Sequence, residues 1–510
     1  MTVRAKLSRA PVLAWAALAL AGAMLASAAV SSVSKTKPDR WWQPDEGRVF
    51  PAQLEYSDPT GTLRLLLDHG PMSTKGHPFF SALGPNGRAC VTCHQPADAM
   101  SLAVADVQRE WARKGAADPL FAALDGSNCP SLPQQARASH SLLIDHGLIR
   151  IARAWPPRDL AGKVIKPDFS IAVVRDPTGC NTNAKWGLTS ADPQISVYRR
   201  PRPVANFKFI EAMGFAYDPK AGMPLGLDPE TGKPVSGNLM ADARVPSLSA
   251  QMRDAAATHL AFLKQLSKDD IARVLDFERR LYVAQQSDAT GGALDADGAK
   301  GGPRNLQISP PGRLGSEGTP VWSEFEAWAK MPAAARAKLP PALVAFRDSV
   351  ARGARLFRTK TFLISDAAGI NSPIGFGNPV RNSCVFCHNM SFMGMDVAPG
   401  QVDLGTTNRP FADPMPWLPL FRVTCLGAPH PHYGKVILTH DPGYALTTGR
   451  CADVGRITLQ TMRGLAARAP YFSNGSAKDL RGVVDFYDRR FHIGYSEQEK
   501  SDLVNLMRAL

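Results

Sequence analysis

The chain carries a surplus of positive charge but concentrates it nowhere. Against 45 Asp and Glu stand 59 Lys and Arg, a formal net charge of +14 over 510 residues. The basic residues are scattered and no long Lys/Arg run occurs, which excludes the usual basic tail for nucleic acid. Scattered cations fit better with balancing buried acidic groups or steering an acidic protein partner. Beyond the N-terminal stretch there is no segment apolar enough to cross a bilayer, so the body of the chain is not a multi-span membrane protein. Cysteine is scarce, 8 residues in all, and the close-spaced pairs lack the further nearby ligands that a zinc knuckle needs. Hydrophobic residues make up 44% and charged residues 20%, the balance of an ordinary globular protein. The length allows two or three domains.

The N-terminus has the layout of an export signal. Arg4, Lys6 and Arg9 precede an apolar stretch from Pro11 to about Val30, with Ala26-Ser27-Ala28 as a small-residue cleavage pattern. The stretch is also just long enough to serve as an uncleaved membrane anchor. Residues 1–34 are therefore expected to be a signal peptide or an N-terminal anchor. Both place the body of the protein outside the cytoplasm, in the periplasm.

Two short strings carry the chemistry: Cys90-Val-Thr-Cys93-His94 and Cys384-Val-Phe-Cys387-His388. Each is C-x-x-C-H, the attachment pattern of a c-type haem. Two thiols on one turn can add to the two vinyl groups of a haem, and the adjacent histidine then falls under the iron as proximal ligand. Chance would produce one such string in roughly a few of every thousand chains of this composition, so two of them point to two covalently bound haems. The other four cysteines, Cys129, Cys180, Cys425 and Cys451, form an even set in an oxidising compartment, which suggests disulfides. Cys129–Cys180 and Cys425–Cys451, each within one half, is the natural pairing, although order along the chain leaves connectivity open.

The chain reads as a duplicated unit. A helix-compatible stretch ending in a Gly-rich loop precedes each string; in the second half it is Asp348 to Phe357, with apolar residues at helical spacing. Lys268 to Tyr282 is a second amphipathic stretch. Ser496 begins a third, with Glu499 completing a capping-box pattern and Leu503, Leu506, Met507 and Leu510 forming the apolar stripe. Ser170–Arg175 and Ile195–Tyr198 are strand candidates. Gly and Pro cluster from Thr290 to Pro303 and on to Gly312, and again from Asp218 to Gly237, a density that breaks helices. The expected architecture is mainly α: two cytochrome c-like haem domains with long irregular loops and a few short strands. The first haem domain is placed at 35–289, a linker at 290–320, and the second haem domain at 321–510.

These residues resemble the bacterial di-haem cytochrome c peroxidase superfamily, which includes the MauG maturation enzyme. Gly84 to Pro96 around the first string carries the resemblance, together with Arg463-Gly-Leu-Ala-Ala-Arg-Ala-Pro-Tyr-Phe-Ser-Asn-Gly-Ser476 and Leu480-Arg-Gly-Val-Val-Asp-Phe-Tyr487. Ser473-Asn474 stands where the family has His-Asp. The resemblance implies that the haem on His94 is peroxidatic and that the haem on His388 relays electrons. It places Tyr487 at the sixth-ligand position of the second haem, where relatives use methionine or, in MauG, tyrosine; His492 is the nearest rival, and Met390, Met393 and Met395 are read as haem-edge packing. Met240 to Gln251 sits where the family has a Trp-Asp-Gly-Arg segment followed by glutamine. Gln251, Asp242 and Arg244 match; Ala241 replaces the tryptophan that lies between the haems, leaving Trp186, Trp322 or Tyr217 as substitutes. No carboxylate follows Gln251 at the family's spacing. His259, eight residues on and on the same helix face, is nominated as the acid–base group. His140 and His146 are weaker candidates near the first haem, and Pro429-His-Pro-His-Tyr433 is read as an exposed loop. The family also often holds a calcium between its domains.

The leading expectation is a periplasmic enzyme reducing hydrogen peroxide with electrons from a small cytochrome c or cupredoxin. MauG-like oxidation of a partner protein, or rubber-oxygenase-like dioxygen chemistry on an organic substrate, keeps the same core. A non-catalytic di-haem electron carrier is the reading from a different class. One scaffold hosts several chemistries, so motifs alone leave these open.

Overall fold

The helices follow from apolar spacing and caps. The computed structural model describes residues 40–159, 161–211, 239–309, 323–371, 377–388 and 401–510. Five helices matter for the site: α1 (Leu248–His259), α2 (Lys268–Arg280), α3 (Pro341–Thr359), α4 (Leu480–Phe491) and α5 (Glu497–Arg508). In α2 the Ser267 hydroxyl accepts from the Asp270 N–H; acids fill the first turn and Arg279 and Arg280 the last, which suits the helix dipole at both ends. Its Ile271, Val274, Leu275 and Phe277 are buried. The predicted capping box opens α5: Ser496 accepts from the Glu499 N–H and the Glu499 carboxylate accepts from the Ser496 N–H.

Helices α3 and α5 pack together. The approach is close because Gly353 has no side chain; a Cβ there would overlap the Asp502 carbonyl oxygen. Across the same seam Asp502 accepts from Ser349 Oγ (2.6 Å) and from Arg352 Nη2 (2.8 Å).

Strands are more numerous than the sequence indicates. Those used below are β1 (Gln53–Ser57), β2 (Gly61–Leu67), β3 (Ile149–Ala154), β4 (Phe169–Arg175), β5 (Gln194–Arg199), β6 (Leu281–Asp288), β7 (Leu420–Cys425) and β8 (Val436–Thr439). β2 lies between β1 and β6, and β3 pairs with β5, all antiparallel. β7 lies between β8 and β4, with Phe421 opposite Val173 and Val423 opposite Ile171. That sheet combines strands from both halves of the chain, and residues Arg40–Leu510 form one unit. The start of the expected linker is folded onto the first half, since Ala293 pairs with Ser287 of β6 and Pro303–Ile308 is helical. The rest of the linker, the Asp218–Gly237 segment and the N-terminal export segment lie outside the described residues. Among the described residues no helix is long and apolar enough to cross a membrane.

The disulfides are Cys129–Cys180 and Cys425–Cys451, with Cα separations of 5.2 and 5.6 Å. The first closes a loop within the first half, and the second ties β7 to the turn at Cys451–Asp453.

Gly353→Ala should force α3 and α5 apart and cost about 1–3 kcal/mol, read as a fall in the urea midpoint. An unchanged midpoint would show that the two helices separate freely.

Candidate functional site

Both C-x-x-C-H strings fold into the same single turn. In the first, the N–H groups of Cys93 and His94 donate to the Cys90 carbonyl at 3.2 and 3.1 Å; in the second, those of Cys387 and His388 donate to the Cys384 carbonyl at 3.3 and 3.0 Å. Each turn gathers two thiols and an imidazole at the wall of a cavity. The first cavity, of about 140 Å³, is lined by Cys90, Cys93 and His94; the second, of about 190 Å³, by Cys384, Cys387 and His388. These four cysteines are free thiols. Burial pushes the Cys384 thiol up to about 11 and raises Cys90 and Cys93 as well, so these three are neutral at pH 7. His94 Nδ1 lies 3.1 Å from the Met100 carbonyl. A proton on Nδ1 donates to that carbonyl and leaves the Nε2 lone pair available to a metal. The residues therefore fit a c-type haem: paired free thiols and, in the first cavity, an imidazole of fixed tautomer.

Gln251 and His259 of α1 both line the first cavity, as their shared helix face requires. His259 Nδ1 is 2.6 Å from Asp125 Oδ2, and Asp125 is ion-paired with the buried Arg88. Burial, helped by Arg244 and Arg88 and opposed by Asp254, presses the His259 pKa down to about 4. The ring is thus neutral at pH 7, its Nδ1 proton is given to Asp125, and Nε2 is free to accept a proton.

Asp242 and Arg244 hold the wall together. Asp242 accepts from Arg199 Nη1 at 2.7 Å and from Arg244 Nη1 at 2.9 Å, with Arg153 at 3.5 Å. Burial alone would raise its pKa, but Arg244, Arg199 and Arg153 hold the carboxyl well below the usual range.

Sequence reasoning missed Glu278. It comes from α2, lines the first cavity, is 3% exposed, and its Oε2 has no hydrogen-bond partner. Burial raises its pKa to about 8, which makes it a neutral acid at pH 7. The signal was present: Glu278 lies four residues after Val274 and seven after Ile271, on the apolar stripe of α2.

In the second cavity Tyr487 of α4 is a lining residue, its ring 6.5 Å from that of His388 at 77°. Burial keeps the phenol protonated. His492, the rival, does not line this cavity: α4 ends there with φ 50°, and the exposed ring lies in an outer groove with Asp485 and Lys500. Met390, Met393 and Met395 lie outside the described residues.

The two cavities share a wall formed by Arg200, Gln460 and Thr461. Ala241, in the tryptophan position, lines the first cavity. Trp186 lines neither cavity and instead packs with Arg150 and Lys185. Trp322 and Tyr217 lie outside the described residues. His140 is removed from both cavities, its nitrogens lying 2.9 and 2.8 Å from the carbonyls of Gly126 and Gln134. His146 is stacked on Trp417 at 4.3 Å in an outer groove. His430, read as part of an exposed loop, is 2% exposed, because Pro429-His-Pro-His folds back so that the His430 N–H donates to the Gly434 carbonyl at 3.0 Å. Among the described residues no group of three or more His, Cys, Asp or Glu is arranged to hold a metal ion by itself.

Over 148 residues the chain is 33% identical to cytochrome-c peroxidase IdrP1 of Pseudomonas sp. (strain SCT). The match takes in 26% of this chain and 37% of that protein. No family model matches the chain. This likeness points to a cytochrome c peroxidase-like family and to a peroxidase-like oxidoreductase.

A carboxyl raised from an ordinary value to about 8 binds a proton in the folded state that the unfolded chain has lost. Its presence makes stability fall as pH rises from about 4.5 to 8, by up to about 1.4 kcal/mol per pH unit. Glu278→Gln should remove that slope and stabilise the protein most above pH 8, measured by urea unfolding across the range. A wild-type profile that is flat there, or one unchanged in the variant, would mean that Glu278 is ionised in the fold.

Proposed function

We propose that the protein is a periplasmic two-haem c-type oxidoreductase that reduces hydrogen peroxide to water, taking two electrons and two protons per peroxide. The electrons come from a small cytochrome c or cupredoxin. The observation that carries the reading is the pair of cavities, each with two free thiols and a histidine, of which the first also holds the neutral base His259 and the neutral acid Glu278. The first site is assigned as peroxidatic and the second as electron-transferring.

A haem held by Cys90, Cys93 and His94 would supply an iron able to bind peroxide and exchange electrons. The chain's own residues handle the protons. His259 Nε2 accepts a proton from the incoming peroxide and returns it to the departing oxygen. Asp125 keeps the imidazole in the required tautomer and stabilises the cation while it exists; Arg88 holds Asp125 in place through an ion pair. Gln251, on the same face of α1, supplies an amide that orients the peroxide. In the second site Tyr487 and the surrounding Phe and Leu side chains keep water out.

Tyr487 also favours a second reading. A phenol in the second cavity suits a site that stays oxidised, as needed for oxidising a partner protein or an organic substrate with dioxygen.

Purified protein should contain two covalent haems by pyridine haemochrome, and Cys90→Ala/Cys93→Ala should contain one. Mixing stoichiometric hydrogen peroxide with the half-reduced protein in a stopped-flow spectrometer should give a rapid absorbance change, followed by turnover with a reduced cytochrome. His259→Ala should slow the first phase by about 10²–10⁴-fold, and His492→Ala should leave it unchanged. A fast reaction of the fully oxidised protein, with no turnover on cytochrome, would favour the second reading. No reaction in either form would leave a carrier of electrons.

A further inference from the structure

The wall between the cavities has an excess of buried positive charge. Arg200 is 6% exposed and lines both cavities; Arg468 is 5% exposed and lines the second. Arg200 Nη2 donates to the carbonyls of Leu102 and, at 2.9 Å, Arg468. Arg468 Nη2 donates to the Thr461 carbonyl, and its Nη1 is 3.5 Å from Gln460 Oε1. Among the described residues neither guanidinium has a carboxylate within ion-pair distance. Arg200 Nη1 and Arg468 Nε have no hydrogen-bond acceptor.

The neighbouring arginines are arranged differently. Arg88, Arg199 and Arg244, which line the first cavity, are each paired with an aspartate. Arg200 and Arg468 also repel each other: burial, then the charge of Arg468, lowers the Arg200 pKa to about 9, and burial lowers that of Arg468 to about 10. Removing charges from water costs several kcal/mol per ion unless an opposite charge compensates. Backbone carbonyls supply partial charge only. The wall is short of anions, and the space facing it is where a ligand would sit.

We propose that Arg468, backed by Arg200, is a carboxylate-binding site on the shared wall, and that its ligands are the propionate carboxylates of the prosthetic group in the second cavity. This rests on the haem reading above. Arg468 makes the direct contact through donors its present partners leave over. Arg200 acts through the wall; because it lines both cavities, its charge also reaches the first. The same pair explains how an arginine-rich wall can be stable without aspartate.

A cation beside a propionate disfavours the oxidised iron, which carries one more positive charge. In haem-loaded Arg468→Gln the midpoint potential of the second haem should fall by the equivalent of about a tenfold change in the one-electron equilibrium, ~59 mV. The propionate bending band in the resonance Raman spectrum should shift with it. Arg468→Lys should keep most of the potential while still shifting the band, because a lysine retains charge but not the planar fork. Gln460→Glu, which places a competing carboxylate beside Arg468 without removing it, should lower the potential as well and guards against a variant that fails to fold. Haemochrome content is measured first. Protein without covalent haem ends the haem reading and this proposal together. Two haems per chain with potentials and propionate bands unchanged in Arg468→Gln and Gln460→Glu would overturn this proposal alone.

Discussion

One guanidinium joins most of what surrounds the first cavity. Arg199, the last residue of β5, donates through Nε and Nη2 to both oxygens of Asp441 at 2.6 and 2.9 Å, and through Nη1 to Asp242 at 2.7 Å. Asp242 passes the connection to Arg244, and Arg244 passes it to Asp254 on α1 at 2.8 Å. A strand and a loop of the first half, the helix bearing Gln251 and His259, and a turn of the second half thus meet at one buried network. Bidentate geometry makes such contacts strong, and losing one partner of a buried set costs about 3–5 kcal/mol because a charge is left uncompensated. The residues that continue β5, Arg200 to Arg202, run directly into the walls of the cavities. The position of the shared wall therefore depends on where Arg199 is held.

The same rule of charge placement separates the cavity interior from its support. Three arginines that line the first cavity are paired with acids: Arg88 with Asp125, and Arg199 and Arg244 with Asp242. Two groups that face the space are pushed toward neutrality by burial, His259 downward to about 4 and Glu278 upward to about 8. One cause, desolvation, acts in opposite directions on a base and an acid. It leaves one group able to accept a proton and one able to donate it, inside a frame whose charge is already balanced. The second cavity shows the same suppression of charge, with Tyr487 held as a neutral phenol among apolar side chains. At the wall between the cavities, by contrast, Arg200 and Arg468 have no acidic side chain within ion-pair distance among the described residues.

How much of this was legible along the chain depended on the range of the physics involved. The turns of the C-x-x-C-H strings, the capping box at Ser496 and Glu499 and the shared face of Gln251 and His259 are local: each needs only residues within a turn or two, and each stands where the periodicity and spacing put it. The disulfides were suggested by cysteine count and order, and folding brought the suggested partners together. Asp125 behind His259 lies 134 residues away, and no local pattern marks it. Glu278 was visible as a lone acid on an apolar stripe, but its environment had to be seen before a cavity acid could be told from a surface residue.

The sequence by itself determined the chemistry brought to the fold: two thiol pairs, each with its histidine, because closing a C-x-x-C-H string into one turn is a matter of spacing alone. Tertiary structure decided which groups face that chemistry. It brought Tyr487 rather than His492 to the second cavity, because α4 ends in a left-handed turn that carries His492 outward. Among the described residues it also placed Arg200, Gln460 and Thr461 in the wall between the cavities, through strands and ion pairs that join residues hundreds of positions apart. Burial and charge compensation are properties of the packed molecule, and a residue's part in them is set only when its distant neighbours arrive.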